Sequence, residues 1–222
     1  MGWYMVKSGL KQEIVEQGQV PRVSSYRLAA HLGSAFALYG LLVNTAINIL
    51  SPNTAHLSNS EMKNLAVLAK FKSRSHGLAA LTFLTALSGA FVAGLDAGWI
   101  YNTFPLMGDR IIPSDIWNSR LGWRNPFENP TCAQFNHRVL AIASVSGISA
   151  LWWQARKLAP ILPPHIRLLT HCLMGAAWGQ GLLGVSTLLL NVPIPLASAH
   201  QAGSVSVLTF ALWLVNRMKY LK

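Results

Sequence analysis

The chain has 222 residues, of which only 25 are charged, and its formal net charge is +11. It is 11% charged and 52% apolar, against about 25% charged for a typical soluble domain. That excludes disorder, a disulfide-stapled secreted scaffold and a soluble enzyme of ordinary composition. The charges are also segregated. Residues 28–50, 77–95, 139–155 and 168–216 hold none, so all 25 fall in the other 114 positions, the pattern of a multi-spanning membrane protein.

In chain order, Met1–Val6 reads as the tail of a helix, and a first span covers 27–50 with His31 near its start. A polar loop, 51–75, leads to a second span over 76–96. The loop 97–135, rich in aromatic residues, precedes a third span over 136–157, which reaches spanning length only with its polar entry Phe135-Asn136-His137-Arg138. The uncharged block 168–216 is too long for one crossing: as a single helix it would run about 74 Å, over twice a hydrocarbon core of roughly 30 Å. Asn191-Val192-Pro193-Ile194-Pro195 supplies the break, because each proline removes a donor and biases its predecessor away from helix. The fourth and fifth spans are then 167–190 and 197–216.

Sidedness follows from Lys and Arg near the span ends. The loop 51–75, the turn 156–167 and the C-terminus together carry ten basic residues against Glu61 alone. Strict alternation puts those three segments on one face, the inner one. The opposite face has eight basic and six acidic residues, Arg138 and Asp96 included. The positive charge is therefore topological, and no nucleic-acid partner is needed to explain it. Cys132 falls on the outer side and Cys172 on the inner, a membrane thickness apart, so neither a bridge between them nor a zinc site is expected.

The histidines are distributed by side. His31, His137 and His200 each lie within the first turns of a span that starts at the outer face, so their imidazoles share a depth. His76, His165 and His171 open the second and fourth spans from the inner face beside Arg74 and Arg167, where an interfacial role is the expectation, and His56 sits in a polar loop. Ionisable groups inside a membrane are functional candidates by default. A layer of three imidazoles suits a metal or haem, whose axial positions take two imidazoles from facing helices, with amide and basic groups nearby. Asn136 and Arg138 flank His137, and Gln201 follows His200; Gly33, Gly147 and Gly203 allow close helix approach on the same spans. In the outer loop, Trp99, Tyr101, Phe104, Trp117, Trp123 and Phe127 read as interfacial anchors, or as a lid from which Arg110, Arg120 and Arg124 face haem propionates.

The chain also echoes itself. Leu183-Gly184-Val185-Ser186, followed by a span with Ala199-His200, parallels Met1-Gly2-Trp3 followed by a span with Ala30-His31. A duplicated bundle is expected from this echo.

Several ordered motifs carry a family resemblance: Gly94-Leu95-Asp96-Ala97-Gly98 with Tyr101-Asn102-Thr103-Phe104-Pro105-Leu106-Met107, then Gln134-Phe135-Asn136-His137-Arg138, Gln180-Gly181-Leu182-Leu183-Gly184 and Ala199-His200-Gln201. With Gly2-Trp3-Tyr4-Met5-Val6-Lys7-Ser8-Gly9-Leu10 and Tyr26-Arg27-Leu28-Ala29-Ala30-His31, the chain resembles the haem A synthase family of cytochrome c oxidase assembly proteins, the mitochondrial type in particular. The resemblance implies an all-α, polytopic transmembrane helix bundle. Its five spans would be the last five of an eight-helix protein built from two four-helix halves. Residues 1–75 would then be a remnant of the N-terminal half and 76–222 the haem-binding C-terminal half.

The implied activity is oxidation of the C8 methyl of haem O to a formyl, giving haem A. His137 and His200 match the pair that ligates a haem b cofactor, with Asn136, Arg138 and Gln201 beside it, and His31 matches the second histidine of the substrate side. The first histidine of that N-terminal pair, and the acidic residue associated with oxidation, have no counterpart in this sequence, so no catalytic residue is assigned. The implied location is the mitochondrial inner membrane, or a bacterial plasma membrane. The implied partners are haem O, the lipid bilayer, haem O synthase, a ferredoxin-type electron partner or a second copy of the chain. A bis-histidine haem b protein without oxidation chemistry, and an inactive form, remain the competing readings.

Overall fold

The computed structural model describes residues 1–9, 22–50 and 65–219. Among them the secondary structure is helical: α1 (Gly2–Val6), α2 (Ser25–Leu50), α3 (Leu65–Gly94), α4 (Asn125–Glu128), α5 (Pro130–Lys157), α6 (Pro164–Leu189) and α7 (Ile194–Met218). The five long helices have 26, 30, 28, 26 and 25 residues. At about 1.5 Å per residue each exceeds a hydrocarbon core of roughly 30 Å.

The charge-free runs locate these helices, and the differences lie at the ends. α3 starts at Leu65 rather than 76, because a helix can continue through charged residues such as Lys70, Lys72 and Arg74 that a charge-free run excludes. α5 starts at Pro130, where proline fits the first turn and the Asn129 side chain caps the backbone N–H of Thr131 and Cys132. The turn between α6 and α7 holds Asn191 and Val192 at φ 59° and 54°, a left-handed pair that a β-branched residue rarely adopts.

Three helices, α2, α3 and α6, are long and apolar enough to cross a membrane. α5 and α7 carry Gln134, Asn136, His137 and Arg138, and His200 and Gln201, which lower their apolarity. On α2 the side chains of Leu38, Leu41, Leu42, Ile49 and Leu50 face outward, as expected where the surrounding solvent is lipid.

Helices α3, α5, α6 and α7 close a ring, with contacts α3–α5, α5–α6, α6–α7 and α3–α7, and α2 packs on α3 and α7. Asn216 Nδ2 of α7 donates to Asn44 Oδ1 and Asn48 Oδ1 of α2, both at 2.8 Å. Tyr39 Oη and Thr209 Oγ1 join the same two helices at 2.7 Å. At the outer end Tyr26 Oη donates to Glu128 Oε1 at 3.0 Å, and Arg22 pairs with Asp96. Asp96 is thus a helix-end ion-pair partner.

The buried apolar cluster fills only the inner half of the ring. It runs through Leu68, Phe71 and Ala79 of α3, Ile148, Leu151 and Ala155 of α5, Ile166, Leu169, Leu173 and Ala177 of α6, and Val207, Ala211, Leu214 and Met218 of α7. Further out the facing residues turn polar or small: Thr85, Ser88 and Gly89, Ser144 and His137, Gln180, Gly181 and Gly184, then His200 and Gly203. The small and hydroxyl residues let the helices approach closely, and the two histidines among them make the layer a candidate site.

Candidate functional site

Three histidines begin the inward-running helices in nearly the same register. His31 lies six residues after Ser25, His137 seven after Pro130 and His200 six after Ile194, each about two turns below the outer helix ends. The structure brings two of them together: the His137 and His200 rings stand 6.5 Å apart, centre to centre, with planes at 88°.

That spacing tests whether the pair suits a haem. Two imidazoles on opposite axial positions, with metal–nitrogen bonds of about 2.0 Å and about 1.1 Å from nitrogen to ring centre, put the centres about 6.2 Å apart. The observed 6.5 Å is within a few tenths of that. Two neutral imidazoles are also the donor set a macrocycle needs, since it brings four donors of its own.

The hydrogen bonds fix which nitrogen of His137 is free. Ser88 Oγ donates its one proton to Thr85 O at 2.7 Å. With that proton engaged, its 2.7 Å contact with His137 Nδ1 is assigned as an acceptance from Nδ1–H. The neutral ring consequently carries its proton on Nδ1 and offers the Nε2 lone pair. Thr85 belongs to the same chain of bonds: its hydroxyl donates to Leu81 O at 2.8 Å and meets Ser144 Oγ at 2.8 Å. His200 has no such lock, and its buried Nδ1 has no hydrogen-bond partner. A buried imidazole nitrogen with no protein partner is free to take a ligand. His31 Nδ1 is orphaned in the same way.

Both rings rest on glycine. A Cβ on Gly89 would stand 3.3 Å from His137 Cε1; one on Gly184 would stand 2.8 Å from His200 Cε1. Gln180 Nε2 donates to His200 O at 2.7 Å, holding the first turns of α7 against α6. Ser88 and Gly89 meet the His137 ring and Gly184 meets that of His200. Gly184 stands in the internal echo and in the Gln180–Gly184 motif, while Ser88 and Gly89 carry no signal beyond being small residues near the outer end of a helix.

The flanking residues named from the sequence lie elsewhere. Arg138 Nη1 donates to Thr103 O at 2.8 Å and Leu106 O at 3.2 Å, and Nη2 to Tyr101 O at 2.8 Å, so its guanidinium ties down the outer loop. Asn136 Nδ2 reaches Cys132 Sγ at 3.5 Å on its own helix, and Gln201 is exposed. Arg110 and Arg124 pair with Asp109 and Glu128, while Trp99, Trp117 and Trp123 point outward, the disposition of interfacial anchors.

Asp115 holds the loop. It accepts from Tyr101 Oη at 2.8 Å and Thr131 Oγ1 at 2.7 Å. Partial burial raises its pKa, but the bonds from Thr131 and Tyr101 outweigh this and hold the carboxyl below its ordinary value. The same bond, with desolvation, pushes the Tyr101 phenol up. His76 bonds Lys72 O within its own helix, His171 accepts from Trp152 Nε1, and His165 is exposed. His56, Glu13, Glu16 and Glu61 lie outside the described residues. Cys132 and Cys172 are both free.

Comparison with known proteins identifies the family. A family model described as cytochrome oxidase assembly protein, COX15-CtaA, matches residues 1–212. A "Heme A synthase COX15" of Bos taurus is 48% identical over 219 residues, covering 99% of this chain and 51% of that protein. A "Heme A synthase" of Nitrosospira multiformis is 41% identical over 219 residues, 99% of this chain and 57% of the relative. A "Heme A synthase-mitochondrial ferredoxin fusion protein" of Schizosaccharomyces pombe is 41% identical over 240 residues, 98% of this chain and 39% of the relative. The chain thus spans about half the length of the curated relatives it matches. No solved structure matches it.

Proposed function

The chain belongs to the COX15-CtaA family of cytochrome oxidase assembly proteins, and from that premise we propose that it is the haem b half of a haem A synthase. The complete protein converts the C8 methyl of haem O to a formyl. Formally, a methyl plus water gives a formyl, four protons and four electrons, so an acceptor must take the electrons. The name of the Schizosaccharomyces pombe relative supports a ferredoxin-type protein as the electron partner. Haem O synthase, as the source of the substrate, and a second copy of the chain complete the expected partners.

Within this reading residues 76–222 form the cofactor half and 1–75 a part of the substrate half. All five long helices cross the membrane, α5 and α7 turning their polar layer inward. The membrane is the mitochondrial inner one, with the Lys- and Arg-rich face toward the matrix.

His137 and His200 hold the haem b, which supplies the redox chemistry when bound. Ser88 keeps the proton on His137 Nδ1, so that Nε2 is the ligand. Gly89 and Gly184 let the Cε1 corners of the rings approach α3 and α6 closely. The outer loop, pinned by Arg138 and Asp115, covers the outer ends of the helices and limits water. His31 contributes to the substrate side.

The observation that carries the reading is the pair of facing imidazoles at iron-spanning distance. The purified chain should show a b-type reduced-minus-oxidised spectrum with one haem per chain, lost in His137→Ala and in His200→Ala. The full-length protein should convert haem O to haem A, as resolved by chromatography of extracted haem. Absence of the b-type spectrum refutes the cofactor assignment; its presence without any haem A from the full-length protein refutes the enzyme assignment. That second outcome is the b-type cytochrome reading, favoured by the His137–His200 pair being the one histidine pair in ring contact among the described residues.

A further inference from the structure

Away from the histidine layer, a second polar cluster gathers at the inner end of the ring. A cavity of about 290 Å³ lies where the last turn of α5 meets the first turns of α6, lined by Ala155, Arg156, Ala159, Arg167, Thr170 and His171. Two arginines and an imidazole point into one small volume, and the alanines opposite leave it open. Arg156 and His171 are exposed at its mouth.

The cluster is organised rather than incidental. The Arg156 guanidinium lies 5.0 Å from the centre of the Trp152 ring. Trp152 Nε1 donates to His171 Nδ1 at 2.7 Å. An indole N–H only donates, so Nδ1 is the acceptor and the neutral His171 ring carries its proton on Nε2, as a donor. Arg167 Nε is buried without a partner. α6 begins at Pro164, so the positive end of its dipole adds to the same corner.

Nothing among the described residues neutralises this charge. Their acids, Asp96, Asp109, Asp115 and Glu128, belong to the opposite, outer end. Donors facing a cavity with no carboxylate among the described residues suit an anion, and the planar donor forks of arginine match phosphate oxygens. The position specifies the source. On the same turns Trp153 and Leu168 are exposed apolar side chains, suited to contact with acyl chains beside a headgroup.

We propose that this cavity binds the phosphate of an anionic phospholipid of the inner leaflet, with Arg156, Arg167 and His171 Nε2–H as its donors. Basic pockets between transmembrane helices on the positive face take such headgroups. The site is separate from the haem layer and does not depend on it.

The test uses the purified chain in detergent, with binding of phosphatidylglycerol and phosphatidylcholine followed by native mass spectrometry. Phosphatidylglycerol should be retained over phosphatidylcholine. Arg156→Ala/Arg167→Ala should weaken phosphatidylglycerol about 30-fold. Lys157→Ala/Lys219→Ala, which removes the same charge outside the cavity, should weaken it far less, and the b-type spectrum should survive in both. Equal losses in the two double variants would reduce the effect to diffuse attraction and overturn the site. Equal retention of the two lipids overturns it as well, and so does complete displacement of phosphatidylglycerol by millimolar inorganic phosphate, which would make the ligand a free anion. Should the alanine variant fail to fold, Arg167→Lys keeps the charge but not the fork; unchanged phosphatidylglycerol affinity in that variant overturns the assignment too.

Discussion

Replacing Gly184 by alanine adds one carbon, and its position decides the outcome. That carbon would stand 2.8 Å from His200 Cε1 and 3.4 Å from both ring nitrogens. Optimal carbon contacts are about 3.5–4.0 Å, so the ring must retreat by about 0.7 Å or α6 must move. Metal–ligand distances tolerate about 0.2 Å. The retreat is several times that, so His200 cannot keep its place at the iron. On helix propensity alone the same change is favourable by roughly 0.5–1 kcal/mol, which separates a site effect from a folding effect. Gly184→Ala should fold and insert but lose most of its haem and the six-coordinate low-spin spectrum. Gly175→Ala and Gly179→Ala, whose added carbons meet nothing within 4 Å, should keep both. Haem-to-protein ratio and reduced-minus-oxidised spectra in detergent read the result. A Gly184→Ala protein with full haem content and an unchanged spectrum would refute the placement of His200 at the ligand position.

Ser88→Ala removes the acceptor for His137 Nδ1–H; loss of such an orienting partner should weaken haem retention about 10- to 100-fold, and an unchanged dissociation constant in haem titration would count against the tautomer assignment. Asn216→Leu deletes two interhelical bonds to α2 and should cost about 1 kcal/mol at roughly 0.6 kcal/mol each, measured by denaturant unfolding in detergent. Asp115 has a lowered folded pKa, so its stabilisation of the outer loop is full above the ordinary Asp range, near pH 4, and is lost as pH falls through the folded value. Tyr101 is raised, so its neutral form supports the loop below about pH 10, and this support is lost as pH rises through the higher folded value. Fluorescence of Trp99, Trp117 and Trp123 should report both transitions, and Asp115→Asn should abolish the acid one.

A charge is costly inside a bilayer, so charge-free runs located the five long helices, with the differences at their ends. The same rule is silent in water, which is why the eleven extra residues at the start of α3 escaped it. The histidine layer was legible too, since equal distance from successive outer helix starts needs only counting. What failed to follow from sequence was the surround of each ring. Asn136 and Arg138 adjoin His137 in sequence, and neighbours on a helix project about 100° apart. Arg138 accordingly faces the loop carbonyls of Tyr101, Thr103 and Leu106. The residues that do meet His137 come from α3, 48 and 49 positions away, a separation no local pattern reveals.

The glycines show what is repeated in this chain. Each of the three histidines meets a glycine on the long or short helix that precedes it: Gly2 of α1 for His31, Gly89 of α3 for His137 and Gly184 of α6 for His200. The glycines stand four, five and five residues from the ends of their helices, and the histidines six, seven and six from the starts of theirs. The connections between those helices differ greatly in length, so loop length cannot produce the match. It follows from geometry: in an antiparallel pair joined at the outer face, positions equally far from the join lie at one depth and touch. The repeating unit is therefore a helical pair in which glycine on the outgoing helix receives an imidazole from the returning one. The spacing of 3.6 Å at Gly2, 3.3 Å at Gly89 and 2.8 Å at Gly184 grades how tightly each ring is seated. Alanine at position 2 meets only ordinary contact, at 89 it presses the ring, and at 184 it evicts it, so tolerance to alanine should fall in that order.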